Sequence, residues 1–219
     1  MLSFEPPEKE QVIISTNGIA YVYLDVKGVS SHAGSAPEKG RNAAIELANQ
    51  LLQLKNLGDP VKGTTVNWTV IQAGERVNII PDAASAKADM RLSVISEVAR
   101  VQKDANRIIG KKLIPGTEVS VRVENRRPPF TKNAHTDALA LAAKGIYQDL
   151  GRTLEPVAMR FGTDAGYAYN PANPKQTVLD GLGIVGDKLH SVDEWADLDS
   201  IAPRIYLTVK LLENTLSAQ

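Results

Sequence analysis

The 219 residues carry 25 lysines and arginines against 25 aspartates and glutamates, a balance that removes any overall basic field for nucleic acid or an anionic membrane. With 43% of residues hydrophobic, the length suffices for one sizeable core or two smaller units. Cysteine is absent, which excludes disulfides, thiolate metal ligands and cysteine nucleophiles, so any metal must bind through His, Asp or Glu.

Met1-Leu2-Ser3-Phe4-Glu5-Pro6-Pro7 has no basic segment ahead of an apolar core and does not read as a signal peptide; no apolar run nears the length of a membrane span. A cytoplasmic placement is the expectation for the chain as it stands, and a periplasmic one if a preceding part carries a signal. Regular patterning begins at residue 18. Ile19 to Lys27 alternates β-branched and aromatic residues as a strand, and Asn42 to Leu57 spaces Ala44, Leu47, Ala48, Leu51 and Leu54 as an amphipathic helix stopped by Gly58-Asp59-Pro60. Thr64 to Ala73 and Ala83 to Leu92 read as strands, Glu97 to Lys112 as a helix, and Thr117 to Glu124 as a fourth strand. The order β-α-β-β-α-β is the split, ferredoxin-like unit, whose open sheet edge invites pairing with a second copy.

Beyond Arg126-Arg127-Pro128-Pro129-Phe130 the expected elements are a helix over Thr136 to Leu150, a short strand over Leu154 to Arg160, a strand-like run over Thr177 to Ile184, and a helix over Leu198 to Leu216 with Pro203 in its first turns. The expected fold class is α+β: a ferredoxin-like domain over residues 17–128 inserted in a partial α/β domain of residues 1–16 and 129–219.

Seven residues stand out. His32, in the glycine-rich turn Ser31-His32-Ala33-Gly34, can aim an imidazole at a ligand. His190, in Asp187-Lys188-Leu189-His190-Ser191, reads by itself as a surface histidine or as a site residue at a strand end. Glu5 reads as an exposed carboxylate of a terminal segment. Gly162-Thr163-Asp164 reads as a helix cap, Thr163 or Asp164 capping, or as an anion-facing turn. Arg127 either forks onto a substrate carboxylate or is solvated linker, while Asn78 and Arg91 read as turn and strand-end polar residues.

Together the stretches Leu2-Ser3-Phe4-Glu5-Pro6, Thr16-Asn17-Gly18-Ile19-Ala20-Tyr21-Val22, Ser31-His32-Ala33-Gly34, Val77-Asn78-Ile79-Ile80-Pro81, Arg127-Pro128, Gly162-Thr163-Asp164 and His190-Ser191 resemble, in family order, the zinc-dependent exopeptidases of the glutamate carboxypeptidase, acetylornithine deacetylase and succinyl-diaminopimelate desuccinylase type. The resemblance is nearest to the bacterial glutamate carboxypeptidases and runs through essentially the whole chain. It implies a zinc-peptidase domain with an inserted dimerisation domain, two zinc ions, a homodimer through the ferredoxin-like unit, and a small peptide or N-acyl amino acid substrate losing a C-terminal residue, glutamate first among them. By position, Glu5 looks like a ligand to one zinc and His190 to the other. His32 looks like the histidine that stabilises the oxyanion in the partner subunit's site, and Asn78, Arg91, Arg127 and Gly162 like substrate-binding elements. Phe161 departs from the pattern, standing where a second glycine is usual.

In the family, the first histidine ligand in a His-x-Asp motif, the bridging aspartate and the paired glutamates all precede the stretches matched here. The resemblance therefore implies a C-terminal portion, inactive unless a separate N-terminal catalytic portion joins it. The competing expectation is a non-catalytic dimerisation or small-carboxylate-binding module left by gene splitting or truncation.

Overall fold

Three consecutive β-branched residues, Val12-Ile13-Ile14, form the heart of β1 (Gln11–Thr16) in the computed structural model, which describes residues 1–173 and 175–217. Val12 and Ile13 are both fully buried, one on each face of the strand, so β1 lacks the alternation that betrays a strand in sequence. The chain divides into two compact units, Gly18–Arg126 and the pair of segments Met1–Asn17 and Arg127–Gln219.

The inserted unit begins with β2 (Gly18–Lys27), whose Ala20, Val22, Leu24 and Val26 are buried while the alternate positions face outward. The two-residue β3 (Ser31–His32) follows, then α1 (Ala43–Leu54), started by Asn42, whose Oδ1 accepts the N–H groups of Ala44 and Ile45. After α1 come β4 (Thr65–Ala73), the short β5 (Ile79–Ile80), β6 (Ala83–Leu92), α2 (Ser96–Ile108) and β7 (Glu118–Arg127). The four long strands form one sheet in the order β4-β6-β2-β7, with β6 antiparallel to both β2 and β4. Helix residues Leu47, Leu54, Val101 and Ala105 pack with Val22, Leu24, Met90 and Leu92 into a single core. This is the ferredoxin-like arrangement read from the sequence, with β3 and β5 added as a small ladder.

The other unit adds to β1 the helix α3 (Ala134–Asp149), β8 (Glu155–Met159), the two-residue strands β9 (Gly186–Asp187) and β10 (Trp195–Ala196), and α4 (Ile201–Ser217). β1 and β8 pair in parallel. Val12, Tyr147, Leu154, Leu179, Leu182, Leu207 and Leu211 form its main core. A capping box opens α3: Asn133 Oδ1 accepts the Thr136 N–H, and Thr136 Oγ1 accepts the Asn133 N–H.

The run Thr177 to Ile184 is not a strand. It makes only isolated bridges, Leu2 with Leu179 and Ile13 with Asp180, because Gly181 turns out of the extended region at φ +75°. Helix limits also differ: α1 ends at Leu54 and α2 at Ile108, α3 opens two residues early at Ala134, and the last helix opens as a 3-10 turn, Leu198–Ser200. Pro203 sits in the first turn of α4, where its missing N–H has no partner to lose. No helix among the described residues is long and apolar enough to cross a membrane.

Candidate functional site

The first residues run beside residues 179–183. Ser3 N–H donates to the Leu179 carbonyl at 2.9 Å, Leu182 N–H to Ser3 at 3.1 Å, and Gly183 N–H to Glu5 at 3.3 Å. Gly183 permits the approach, since a Cβ there would lie 2.4 Å from the Phe4 carbonyl oxygen. Glu5 is thereby held half-buried next to Asp180, which is fully buried. Asp180 Oδ1 accepts the Glu5 N–H at 3.2 Å and the Gly181 N–H at 2.7 Å, while its Oδ2 is buried without a hydrogen-bond partner.

Arg127 belongs to the same neighbourhood. Its Nη1 donates to the Gly162 carbonyl at 3.1 Å, and its Nε lies 3.4 Å from Asp164 Oδ1. Burial pushes the Glu5 carboxyl above its ordinary value, the charges of Asp180 and Asp164 push the same way, and the Asp164 N–H and the Arg127 guanidinium counter them. Glu5, Arg127 and Gly162 are therefore brought together, joined by Asp164 and Asp180. The last of these was missed in the sequence; its signal was a lone carboxylate inside the apolar run Val178-Leu179-Asp180-Gly181-Leu182. Thr163 does precede a helical turn, the 3-10 segment Asp164–Ala168, yet it makes no side-chain cap and its Oγ1 is buried without a partner.

His190 sits in the loop between β9 and β10, which pair antiparallel. It is exposed and has φ +66°, and Lys188 two residues earlier has φ +58°; these are the non-glycine residues with positive φ among those described. Such a conformation persists only where neighbours enforce it. Here Glu194 Oε2 accepts the His190 N–H at 3.0 Å and Ser191 Oγ donates to the Lys188 carbonyl at 2.7 Å.

Among the described residues no group of three or more His, Asp and Glu side chains could hold a metal ion. Two further carboxylates, Asp180 and Asp164, and the Arg127 guanidinium act on the Glu5 carboxyl, and Asp180 Oδ2 is buried without a hydrogen-bond partner.

In the inserted unit, β3 and β5 pair His32 with Ile79, and Ala33 N–H donates to the Asn78 carbonyl at 2.9 Å, so His32 and Asn78 lie side by side. His32 Nδ1 accepts two main-chain N–H groups, those of Gly34 and Ser35, each at 3.1 Å. A neutral imidazole held this way carries its proton on Nε2, the nitrogen turned away from the turn. Arg91 lies near the other end of β6, eight residues beyond Ala83 and about 27 Å along the strand at ~3.4 Å per residue. It is locked in a two-pronged pair with Asp89, Nε to Oδ2 at 2.8 Å and Nη2 to Oδ1 at 3.2 Å.

Residues 14–117 match the family model of the peptidase dimerisation domain. Carboxypeptidase G2 of Pseudomonas sp. (strain RS-16) is 36% identical over 217 residues, which is 97% of this chain and 51% of that protein. A p-aminobenzoyl-glutamate hydrolase homolog of Haemophilus influenzae is 41% identical over 78 residues, 34% of this chain and 18% of that protein. Among solved structures, aminopeptidase PepT from Bacillus cereus superposes with a TM-score of 0.75 at 23% identity, covering 97% of this chain and 56% of that one, a likeness of fold. Against Carboxypeptidase G2 and aminopeptidase PepT, which it matches nearly end to end, the chain spans about half of the relative's length.

Proposed function

The chain belongs to the M20 peptidase family, and from that premise we propose that it is the dimerising, carboxylate-binding part of a zinc-dependent carboxypeptidase or amidohydrolase that releases an acidic C-terminal amino acid from a peptide or N-acyl amide. The names of its relatives support this substrate class: one is a carboxypeptidase and another a p-aminobenzoyl-glutamate hydrolase homolog. The remaining metal ligands and the general base come, on this reading, from a segment corresponding to the part of the relatives that this chain does not span.

His32 is the observation that carries the proposal. Two main-chain N–H groups occupy Nδ1, so the imidazole is presented as an Nε2–H donor, the form an oxyanion requires. Two zinc ions, when bound through Glu5, His190 and the added ligands, supply Lewis acidity toward water and the amide carbonyl. Arg127 holds the carboxylate of the leaving amino acid, exchanging its exposed partner Asp164 for the substrate while the Gly162 carbonyl keeps the guanidinium aimed. Arg91 and the His32–Asn78 pair are separated by most of the length of β6, too far for one small substrate to touch both within one copy. A homodimer, in which His32 and Asn78 of one copy serve the site of the other, resolves that separation. Edge strand β4 supports such pairing, with Val70 and Ile71 exposed.

The test mixes this chain with the portion of Carboxypeptidase G2 that precedes the matched stretch and follows zinc-dependent hydrolysis of N-benzoyl-glutamate. Neither piece alone should turn over, and the mixture should. A mixture that dimerises and takes up zinc yet cleaves no N-acyl glutamate would refute the proposal. The same result would favour a non-catalytic module that binds small carboxylates, the reading favoured by the lack of a three-ligand cluster among the described residues.

A further inference from the structure

We propose that residues 1–4, with two apolar grooves that meet at Phe4, form a docking surface for a second polypeptide segment, which adds a strand to their open edge and lays apolar side chains in the grooves. The occupant is the segment corresponding to the part of the relatives that this chain does not span. This rests on the reading that such a segment completes the enzyme.

The open edge is visible in the main chain. Ser3 N–H donates to the Leu179 carbonyl at 2.9 Å, Leu179 N–H to Met1 at 3.0 Å, and Leu182 N–H to Ser3 at 3.1 Å. The Leu2 N–H and carbonyl and the Phe4 N–H alternate with these groups, and make no hydrogen bond among the described residues. In an extended chain they point the opposite way, as a ready template for another strand. The far edge of the same layer is blunted. There β8 carries Pro156, which has no N–H to offer, and Glu155, paired with Lys144 at 3.0 Å. Met1-Leu2-Ser3-Phe4 has no charged side chain and no proline.

The grooves flanking Phe4 measure about 750 and 310 Å³. Leu139, Ala142 and Leu212 help to line the larger, and Ile184, Ile205 and Val209 the smaller. Helix α4 runs along both, exposing Ile201, Ile205, Val209 and Leu212 in one stripe while Leu207 and Leu211 are buried on its other side. Phe4 is 58% and Ile205 60% exposed. Apolar side chains gathered in this way, beside unpaired main-chain groups, mark a surface that another polypeptide covers. Carboxypeptidase G2 and aminopeptidase PepT match this chain nearly end to end and are about twice as long, so a comparable length of polypeptide accompanies the matched part in each. A second copy of this chain is the competing occupant. Against it, the dimerisation-domain match, residues 14–117, falls almost wholly in the other unit.

The test coexpresses this chain with a tagged portion of Carboxypeptidase G2 that precedes the matched stretch, holds the complex by the tag, and reads how fast the chain leaves. Ile205→Glu and Val209→Lys place charges in the covered stripe and should each speed release about 30-fold or more, or abolish co-purification. Both put better helix formers at exposed helix positions, so each variant alone should unfold at the wild-type midpoint; if one fails to fold, the other serves. Leu141→Glu, exposed on α3 outside both grooves, should release at the wild-type rate. Phe4→Pro removes the free N–H as well as the ring, and should release faster than Phe4→Ala. Wild-type release in both α4 variants, equal release in the two Phe4 variants, or a soluble tagged portion that retains no chain overturns the proposal. So does self-association of the chain whose mass falls in Ile205→Glu, which assigns the face to a second copy. A complex held through this face that never cleaves N-benzoyl-glutamate supports the docking surface and counts against the proposed activity alone.

Discussion

Replacing Arg204 by methionine should destabilise the β1/α4 unit while sparing the inserted one. Arg204 is 2% exposed on α4. Its Nη1 donates to the carbonyls of Gln11 at 2.9 Å and Gly181 at 3.0 Å, and its Nη2 to the Lys9 carbonyl at 3.2 Å and Glu10 Oε2 at 3.1 Å. Methionine fills much of the stem's volume but donates nothing. The Gly181 carbonyl, whose bond is buried, then loses its partner at a cost of about 1–3 kcal/mol, and the two part-buried carbonyls lose about 1 kcal/mol each. Relief from desolvating a guanidinium offsets part of this, leaving a net loss of roughly 2–4 kcal/mol. The two tryptophans allow a unit-by-unit readout, Trp195 in the β1/α4 unit and Trp68 in the inserted one. In urea, with the other tryptophan changed to phenylalanine, the Trp195 transition should move down by about 1–2 M and the Trp68 transition should stay in place. A loss below about 1 kcal/mol would mean that water replaces the guanidinium at these carbonyls, and the reasoning would fail.

Three further outcomes are expected. Arg100, donating to Glu97, holds that carboxyl below its ordinary value against the opposing effect of burial, with the Thr64 hydroxyl assisting. A depressed carboxyl stabilises the fold at neutral pH and loses that contribution as the pH falls from the unfolded value through the folded one, so Glu97→Gln should flatten the acid limb of the Trp68 transition below about pH 4.5. Asn133→Ala removes the capping box of α3 and should cost about 1 kcal/mol in the Trp195 transition, with Asn133→Ser recovering most of it. In the reconstituted enzyme, His32→Gln should lower kcat by about 10²-fold or more with little change in KM, whereas Arg127→Ala should chiefly raise KM for carboxylate-bearing substrates; a His32 variant of normal kcat would remove it from the oxyanion.

The four long strands and two helices of the inserted unit were legible because each carries its own periodicity, which the two-residue β3 and β5 do not. β2 alternates through Ala20, Val22, Leu24 and Val26, and α1 repeats through Leu47, Leu51 and Leu54, so the order of elements follows from local patterns. In the other unit α3, β8 and α4 were read from their patterns, but two stretches mislead. β1 is buried on both sides and reads as a plain apolar run, while Val178 to Ile184 imitates a strand although Gly181 bends it away. The site was legible only as separate residues. Glu5, Arg127 and Gly162 lie far apart in sequence, and their meeting depends on Gly183 letting residues 3–5 pass against its backbone, a close approach that no spacing rule encodes. Asp180 escaped notice because Asp-Gly is common turn chemistry, and burial is what makes it unusual.

The bridge between Thr16 and Phe130, closed by the Thr16 N–H to the Phe130 carbonyl at 3.0 Å, ties together the places where the chain leaves and rejoins the β1/α4 unit. Closing that gap through about 110 unfolded residues costs roughly 3 kcal/mol more entropy than closing a four-residue loop, on the logarithmic dependence of closure entropy on length. Once β2 through β7 have folded, the polymer between the two points is short, and most of that penalty has already been met. The folded insertion thus holds together the two points that the β1/α4 unit must join, and shortens the loop that this unit's own pairing has to close.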